Sequence, residues 1–206
     1  MTDAFAMLGI SLVLCSRLLA WLYAWRVTRP HAMWVKLSVV LCFALMWIPL
    51  GQAYVPAAAY VRGITADFSI TLVALAVWRL FHLGLGWRAI AKHEETAVMA
   101  AVAAAALFLY PLALGLGNWD AYRPGWGSWG MLVTLLVLCT ICLVKGLRVL
   151  PALVALALLA WSFGLMESTN LWDYLLDPWL SVYALVFAGI KSGRLAFRRF
   201  VNRSFH

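Results

Sequence analysis

The sequence predicts an all-α protein, a polytopic membrane bundle of seven transmembrane helices, from three observations. First, 66% of the residues are hydrophobic and only 12% are charged, whereas about 25% of the residues in a soluble domain are charged. Second, the apolar residues form seven runs of roughly the 20 residues that span a bilayer. These runs cover residues 5–25, 33–51, 65–83, 96–116, 129–145, 149–166 and 178–192. Third, basic and acidic residues separate into alternate gaps between the runs.

The first run is expected to be a retained span rather than a signal peptide. The residues before it contain Asp3 but no Lys or Arg, so the basic segment that opens a signal peptide is missing. Arg17 lies near the middle of this run, and an ionisable group at that depth is a candidate functional residue. We expect Arg17 to face the bundle interior, with Asp67 or Glu167 as its partner. The alternative is that it snorkels to the membrane surface or bonds backbone carbonyls.

Prolines and charges mark the later boundaries. Pro111 lies inside the fourth run and is expected to kink it. Four residues between 145 and 151 separate the fifth run from the sixth, and merging these runs would destroy the charge alternation. Asp177 and Pro178 suit the N-cap and the first helical position of the last run. Residues 1–192 are therefore assigned to the bundle, and residues 193–206 to a basic amphipathic tail at the cytoplasmic membrane surface.

The distribution of basic residues orients the bundle. Twelve of the 16 Lys and Arg residues lie in the gaps 26–36, 84–95 and 145–151 and in the tail from 191 onward. The other set of gaps holds only Arg62 and Arg123, and six of the eight acidic residues lie in or beside it. The positive-inside rule then places the N-terminus outside and the C-terminus in the cytoplasm, which requires an odd number of spans. We predict a multi-pass protein of a bacterial inner membrane.

Several functional classes are not supported by the sequence. The net charge of +8 does not predict a nucleic-acid partner, because the basic residues flank apolar runs instead of forming a patch. Cys139 and Cys142 have the spacing of a redox or metal motif, but no third ligand lies nearby in the sequence. Zinc-protease, serine-hydrolase and phosphate-loop motifs are missing. We predict neither a metal nor another cofactor.

Two predicted outer segments concentrate polar and aromatic side chains. Residues 110–129 form a glycine-rich loop, and residues 167–179 have the length of a short interfacial helix. We expect charged and indole groups of both segments to border one outward-opening cavity. The candidate catalytic residues are Asp120, Glu167 and Asp173. The candidate ligand-binding residues are Arg17, Asp67, Trp119, Tyr122, Arg123, Trp126, Asn170 and Trp172.

These segments allow two interpretations. Carboxylates could act as general acid and base while indoles hold a sugar or headgroup, or the indoles could form an interfacial belt and the acids could cap helices. The functional hypothesis is a cell-envelope protein that acts on a lipid or lipid-linked sugar at the outer leaflet, or assists a partner that does. Whether the chain is an enzyme is left open. The alternatives are a non-catalytic accessory or scaffold subunit and a small-solute transporter, and the expected partners are membrane lipids and another membrane subunit.

Overall fold

Helices dominate the computed structural model, which describes residues 2–24, 32–52 and 54–204. In this part of the chain, the only strands form one two-stranded antiparallel hairpin, so the predicted all-α class is confirmed. The elements in chain order are α1 (Thr2–Ala24), α2 (Ala32–Met46), β1 (Pro49–Leu50), β2 (Val55–Pro56), α3 (Ala57–Thr65), α4 (Ile70–Leu85), α5 (Lys92–Ala113), α6 (Trp129–Val144), α7 (Val149–Ser162), α8 (Leu171–Leu175) and α9 (Pro178–Ser204).

Each of the seven predicted runs overlaps one long helix of the described chain, and the second run also contains a hairpin strand. Helix α2 ends at Met46, and the rest of that run turns into the β1–β2 hairpin, in which Pro49 pairs with Pro56. A proline lacks the backbone N–H that a helix needs, which explains the early end. Helix α3 lies in a gap between two predicted runs, where no helix was predicted. Pro56 and the alanines after it are a helix-starting pattern that could have revealed it.

The lengths of the apolar helices differ. Among the described residues, α1 and α5 are long and apolar enough to cross a membrane. The other apolar helices, α2, α4, α6 and α7, contain only 14 to 16 residues each. Of the seven predicted spans, α1 and α5 therefore have the length and composition of a membrane-spanning helix.

The chain divides into two compact units. The first comprises Met1–Ile90 and Ala152–Leu175, and the second comprises Ala91–Pro151 and Leu176–His206. In the first unit, α1 packs against α2, α3 and α4, and α8 packs against α4. In the second unit, α5 packs along α9.

The packing of α1 on α4 is close, because small residues lie between the two helices. A Cβ atom added at Gly9 would lie 3.0 Å from a methyl carbon of Val73. Ser11 and Ser16 are buried on α1 and donate hydrogen bonds to carbonyl oxygens of their own helix, as polar residues in helix interfaces commonly do. A larger residue at position 9 would therefore require Val73 to shift.

The helix cap that the sequence predicted for α9 is present in the structure. Asp177 Oδ1 accepts a hydrogen bond from the backbone N–H of Leu180 at 2.9 Å, and Pro178 is the first residue of α9, so the predicted cap is confirmed. Pro111 lies near the end of α5, and the predicted kink there stays a prediction. Helix α9 continues to Ser204, so the predicted tail begins as an extension of the last helix. Residues 25–31, which include most of the first basic gap, and residues 205–206 lie outside the described part.

Candidate functional site

Four charged side chains meet in the first unit, and we call Asp3, Arg62, Asp67 and Glu167 the Arg62 cluster. Arg62 Nε donates to Asp67 Oδ1 at 2.6 Å, and Nη2 donates to Asp67 Oδ2 at 3.2 Å. Nη1 donates to Asp3 Oδ1 at 2.5 Å, and Nη2 lies 3.0 Å from Glu167 Oε1. One guanidinium therefore contacts three carboxylates, and it binds one of them through both oxygens.

Local backbone structure explains how these residues meet. Arg62 lies in the last turn of α3, where a cation interacts favourably with the helix dipole. Ala66 follows with a positive φ of 58° and reverses the chain, which brings Asp67 back beside Arg62. Asp3 lies in the first turn of α1, where an acid is favourable for the same reason. Glu167 arrives from the segment between α7 and α8.

The cluster has a sheltered pair and an exposed rim. The side chains of Arg62 and Asp67 are 20% and 16% exposed, whereas those of Asp3 and Glu167 are 67% and 63% exposed. The hydrogen bonds to Asp67 and then to Asp3 raise the pKa of Arg62 above its ordinary value. The guanidinium thus stays charged and acts as the fixed centre of the cluster.

This arrangement is better suited to holding segments of the chain together than to proton transfer. An arginine keeps its proton in proteins, and its planar fork holds carboxylates in a defined geometry. Among the described residues, no group of three or more His, Cys, Asp or Glu side chains is arranged to hold a metal ion. The cluster therefore joins α1, α3, the segment before α4 and the segment before α8 through charge-assisted hydrogen bonds.

The Arg62 cluster corrects the expectation for Arg17. The side chain of Arg17 is exposed on α1 and does not lie in the bundle interior, so the prediction of an interior position is wrong. Asp67 and Glu167, which were expected to be partners of Arg17, contact Arg62. Helix geometry explains the difference, because the buried face of α1 passes through Cys15, Ser16 and Leu19, and residue 17 falls on the other side of the helix. A ligand-binding role for Arg17 stays a prediction.

The segment before and within α8 is held by its own side chains. Asn170, which is 1% exposed, accepts a hydrogen bond from the backbone N–H of Trp172 at 2.9 Å. Asp173 accepts one from the hydroxyl of Ser168. The fully buried Tyr174 donates its hydroxyl proton to the backbone oxygen of Ser168 at 3.0 Å. Asn170 and Asp173 thus have local structural roles, and α8 is the short helix that the sequence predicted.

The glycine-rich loop of the second unit presents aromatic side chains. Asp120 Oδ1 accepts a hydrogen bond from the backbone N–H of Tyr122 at 2.9 Å, which forms an Asx turn. The ring of Tyr122 lies edge-on to Trp126 with centroids 5.3 Å apart. Trp119 packs on Phe108 with centroids 5.7 Å apart. Trp119 and Trp126 are nevertheless 53% and 57% exposed, so the loop offers indole faces for contact.

The candidate residues fall into three local groups. Asp67 and Glu167 lie together in the Arg62 cluster, and Asn170, Trp172 and Asp173 lie together in and just before α8. The third group consists of Trp119, Asp120, Tyr122, Arg123 and Trp126 in the loop of the second unit. The single cavity that would unite Asp120 with Glu167 stays a prediction.

Two charged residues with structural roles, Arg62 and Glu94, were not predicted from the sequence as site residues. Arg62 was counted only for topology, although it is one of two basic residues in the acid-rich gaps, which is a signal for an ion pair. Glu94 is 7% exposed and lies in the second unit. Its Oε1 accepts from the backbone N–H of Arg148 at 2.8 Å, and its Oε2 accepts from that of Val149 at 3.1 Å. Glu94 therefore caps the start of α7 from another helix.

Polar contacts also show that α5 and α9 run antiparallel. Lys191 Nζ donates to Thr96 Oγ1 at 2.6 Å near the start of α5. Ser181 Oγ donates to the hydroxyl of Tyr110 at 3.4 Å near the end of α5. The start of each helix therefore lies beside the later part of the other.

Comparisons with known proteins give no family for this chain. No protein-family model matches it, and neither curated proteins nor solved structures give a match.

Proposed function

We propose that the chain is a seven-span protein of a bacterial inner membrane that serves a lipid or lipid-linked sugar at the outer leaflet. In this proposal it assists a partner that acts on that lipid, and its own carboxylates are structural. The observation that carries the proposal is that polar contacts between helix ends stay within the acid-rich set of gaps or within the basic set. Each of these contacts joins gaps that the charge distribution assigns to one side of the membrane.

The Arg62 cluster supports this sorting in the first unit. It connects the residues at the start of α1, the gap before α4 and the gap before α8, all of which belong to the acid-rich set. Glu94 supports it in the second unit by connecting the gap before α5 with the gap before α7, both of which belong to the basic set. Alternate gaps meet in this way when every intervening helix crosses the membrane.

Exposed apolar surface supports a lipid environment. Along α6, Val133, Leu136 and Val144 are 54%, 66% and 85% exposed. Leu37, Val40 and Leu41 of α2 are likewise 55% to 65% exposed. Soluble monomers rarely expose contiguous apolar surface of this kind. In a bilayer, these side chains would contact acyl chains and the exposure would be favourable.

The shorter helices can still span a membrane. A helix of 16 residues, such as α6, is about 24 Å long at 1.5 Å per residue, compared with a hydrocarbon core of about 30 Å. Local thinning of the bilayer and snorkelling of flanking residues accommodate such a mismatch at modest cost. We therefore assign spans to α1, α2, α4, α5, α6, α7 and α9.

A test of this topology uses two exposed polar positions. In intact cells, cysteine introduced by Asn118→Cys is expected to react with a membrane-impermeant maleimide, whereas cysteine from Lys145→Cys is expected to react only after lysis. The reason is that these residues belong to the acid-rich and the basic gaps respectively. The parent chain, whose native cysteines lie in apolar helices, serves as the background control. Equal labelling of both variants in intact cells would refute the topology.

An assisting role is favoured because all three candidate catalytic carboxylates are engaged. Glu167 contacts the guanidinium of Arg62, Asp173 accepts from Ser168, and Asp120 accepts from a backbone N–H. Proton transfer by any of them would disrupt a contact that holds local structure. The exposed indoles of Trp119 and Trp126 are better suited to contact a sugar or headgroup, since aromatic faces combine apolar area with a polar edge.

Lipid retention tests this role. The full chain, purified from membranes in mild detergent, is expected to retain a glycolipid or lipid-linked sugar, as measured by mass spectrometry of the extracted lipids. Trp119→Ala combined with Trp126→Ala should lower that retention about tenfold, because two aromatic contacts of ~0.5–1.5 kcal/mol each are lost. Trp129→Ala, at an indole that is 82% exposed, is the matched control and should have little effect.

Other outcomes of this experiment favour different functions. If Asp120→Asn or Glu167→Gln leaves a folded chain that accumulates unreacted lipid, the protein is an enzyme and the assisting role is wrong. If Trp129→Ala lowers retention as much as the double variant, the indoles form only an interfacial belt. If no glycolipid or lipid-linked sugar is retained above bulk phospholipid, the proposed ligand class is wrong.

A further inference from the structure

The end of α4 carries a folded-back loop that the proposed outer-leaflet function does not use. Gly86 adopts a positive φ of 71° and ends the helix. Trp78 Nε1 then donates to the backbone oxygen of Arg88 at 3.1 Å, and His82 Nδ1 donates to that of Trp87 at 2.5 Å. Two side chains of α4 therefore hold residues 87 and 88 against the last turns of the helix.

This folding assembles an aromatic surface. The ring centroid of Trp87 lies 4.9 Å from that of Phe81 and 6.3 Å from that of Trp78, both in edge-on geometry. The three residues remain exposed to 50%, 38% and 37% respectively. Because the indole N–H of Trp78 already has a backbone partner, the group presents a fixed and largely apolar face.

Two arginines are sequence neighbours of these aromatic residues. Arg79 follows Trp78 and Arg88 follows Trp87, and both residues are exposed. Arg79 and Arg88 have no carboxylate partner among the described residues. Two exposed arginines and three clustered aromatic rings thus lie within eleven residues of the chain.

We propose that Trp78, Arg79, Phe81, Trp87 and Arg88 form a binding surface for the headgroup of an anionic phospholipid. The guanidinium fork matches phosphate oxygens in a bidentate way, and tryptophan rings prefer the depth of the glycerol and headgroup region. The exposed positive charge favours an anionic over a zwitterionic headgroup. The proposal rests on the proposed topology only for its leaflet, which would be the cytoplasmic one.

Competition between two lipids tests this surface. The full chain is delipidated in detergent, mixed with equal amounts of phosphatidylglycerol and phosphatidylcholine, and analysed by native mass spectrometry. The parent chain is expected to bind phosphatidylglycerol preferentially. Arg79→Gln combined with Arg88→Gln should lower that preference at least about fivefold, which corresponds to ~1 kcal/mol. Trp87→Ala should also lower it, whereas Trp87→Phe, which keeps an aromatic ring, should restore most of it.

A second pair of basic residues provides the control. Lys145→Gln combined with Arg148→Gln removes two exposed charges from the basic gap before α7, and the phosphatidylglycerol preference should persist. An equal loss in this control would show general charge attraction and overturn the proposal. Competition by inorganic phosphate at the same concentration would identify a free-phosphate site instead. Binding in detergent does not depend on sidedness, so this result and the cysteine-labelling result can fail independently.

Discussion

Replacing Arg62 by Gln is expected to destabilise the protein by about 2 kcal/mol or more, since the substitution leaves the sheltered Asp67 carboxylate without its bidentate partner. Breaking a fully buried ion pair from one side costs roughly 3–5 kcal/mol, and this pair is somewhat more exposed than that. Glu167→Gln is expected to cost less than ~1 kcal/mol, because its side chain is 63% exposed and solvent screens the interaction. Thermal unfolding in mild detergent measures the order of these effects.

Two further variants make the Arg62 prediction specific. Arg62→Lys keeps the charge but loses the fork, so its melting temperature should lie between those of the parent and Arg62→Gln. Arg123→Gln removes the other basic residue of the acid-rich gaps, at an exposed position, and should change the melting temperature little. The interpretation would be wrong if Arg62→Gln melted like the parent, or if Glu167→Gln were as destabilising as Asp67→Asn.

Replacing Glu94 by Ala is expected to lower the free energy of unfolding by about 2 kcal/mol, which is the second largest effect after that of Arg62→Gln. The carboxylate is buried and satisfies two backbone N–H groups at the start of α7. Losing a helix cap costs roughly 0.5–2 kcal/mol, and a negative charge near a helix N-terminus adds a further favourable interaction. Glu94→Gln keeps one acceptor oxygen and should cost about half as much as Glu94→Ala, in line with that range.

Glu95 is the matched control, because it has the same charge and lies in the same first turn of α5. Glu95→Ala should leave the melting temperature nearly unchanged. Amide hydrogen exchange at Arg148 and Val149 is expected to accelerate in Glu94→Ala but not in Glu95→Ala. Equal effects of the two substitutions on stability and exchange would exclude the cap as the cause.

The positions of the long helices could be predicted from the sequence because apolar runs and their flanking charges are local patterns. The cap of α9 was predicted for the same reason, since Asp177 and Pro178 are adjacent. The hairpin after α2 was missed because hydropathy alone does not register the missing N–H of Pro49. Helix α3 was missed because it is short and lies in a gap between apolar runs.

The candidate site was harder to predict because its contacts are distant in sequence. Asp67 and Glu167 were selected as possible partners of Arg17, and Glu167 also as a polar residue of the outer face, but their common partner Arg62 became visible only in the structure. Arg17 was placed in the interior because hydropathy gives the depth of a residue and not the side of the helix it occupies. The residues of α1 are apolar around most of its circumference, so its sequence does not distinguish the two sides.

The Arg62 cluster also has a consequence for the order of assembly. Asp3, Arg62 and Asp67 are all synthesised within the first third of the chain, whereas Glu167 follows about a hundred residues later. At roughly 5–20 residues per second, that interval lasts on the order of 5–20 s. We infer that Arg62 and Asp67 pair early and that Nη2 of Arg62 contacts Glu167 only after the segment that follows α7 has been made, so the Glu167 ion pair is the last of the cluster to form.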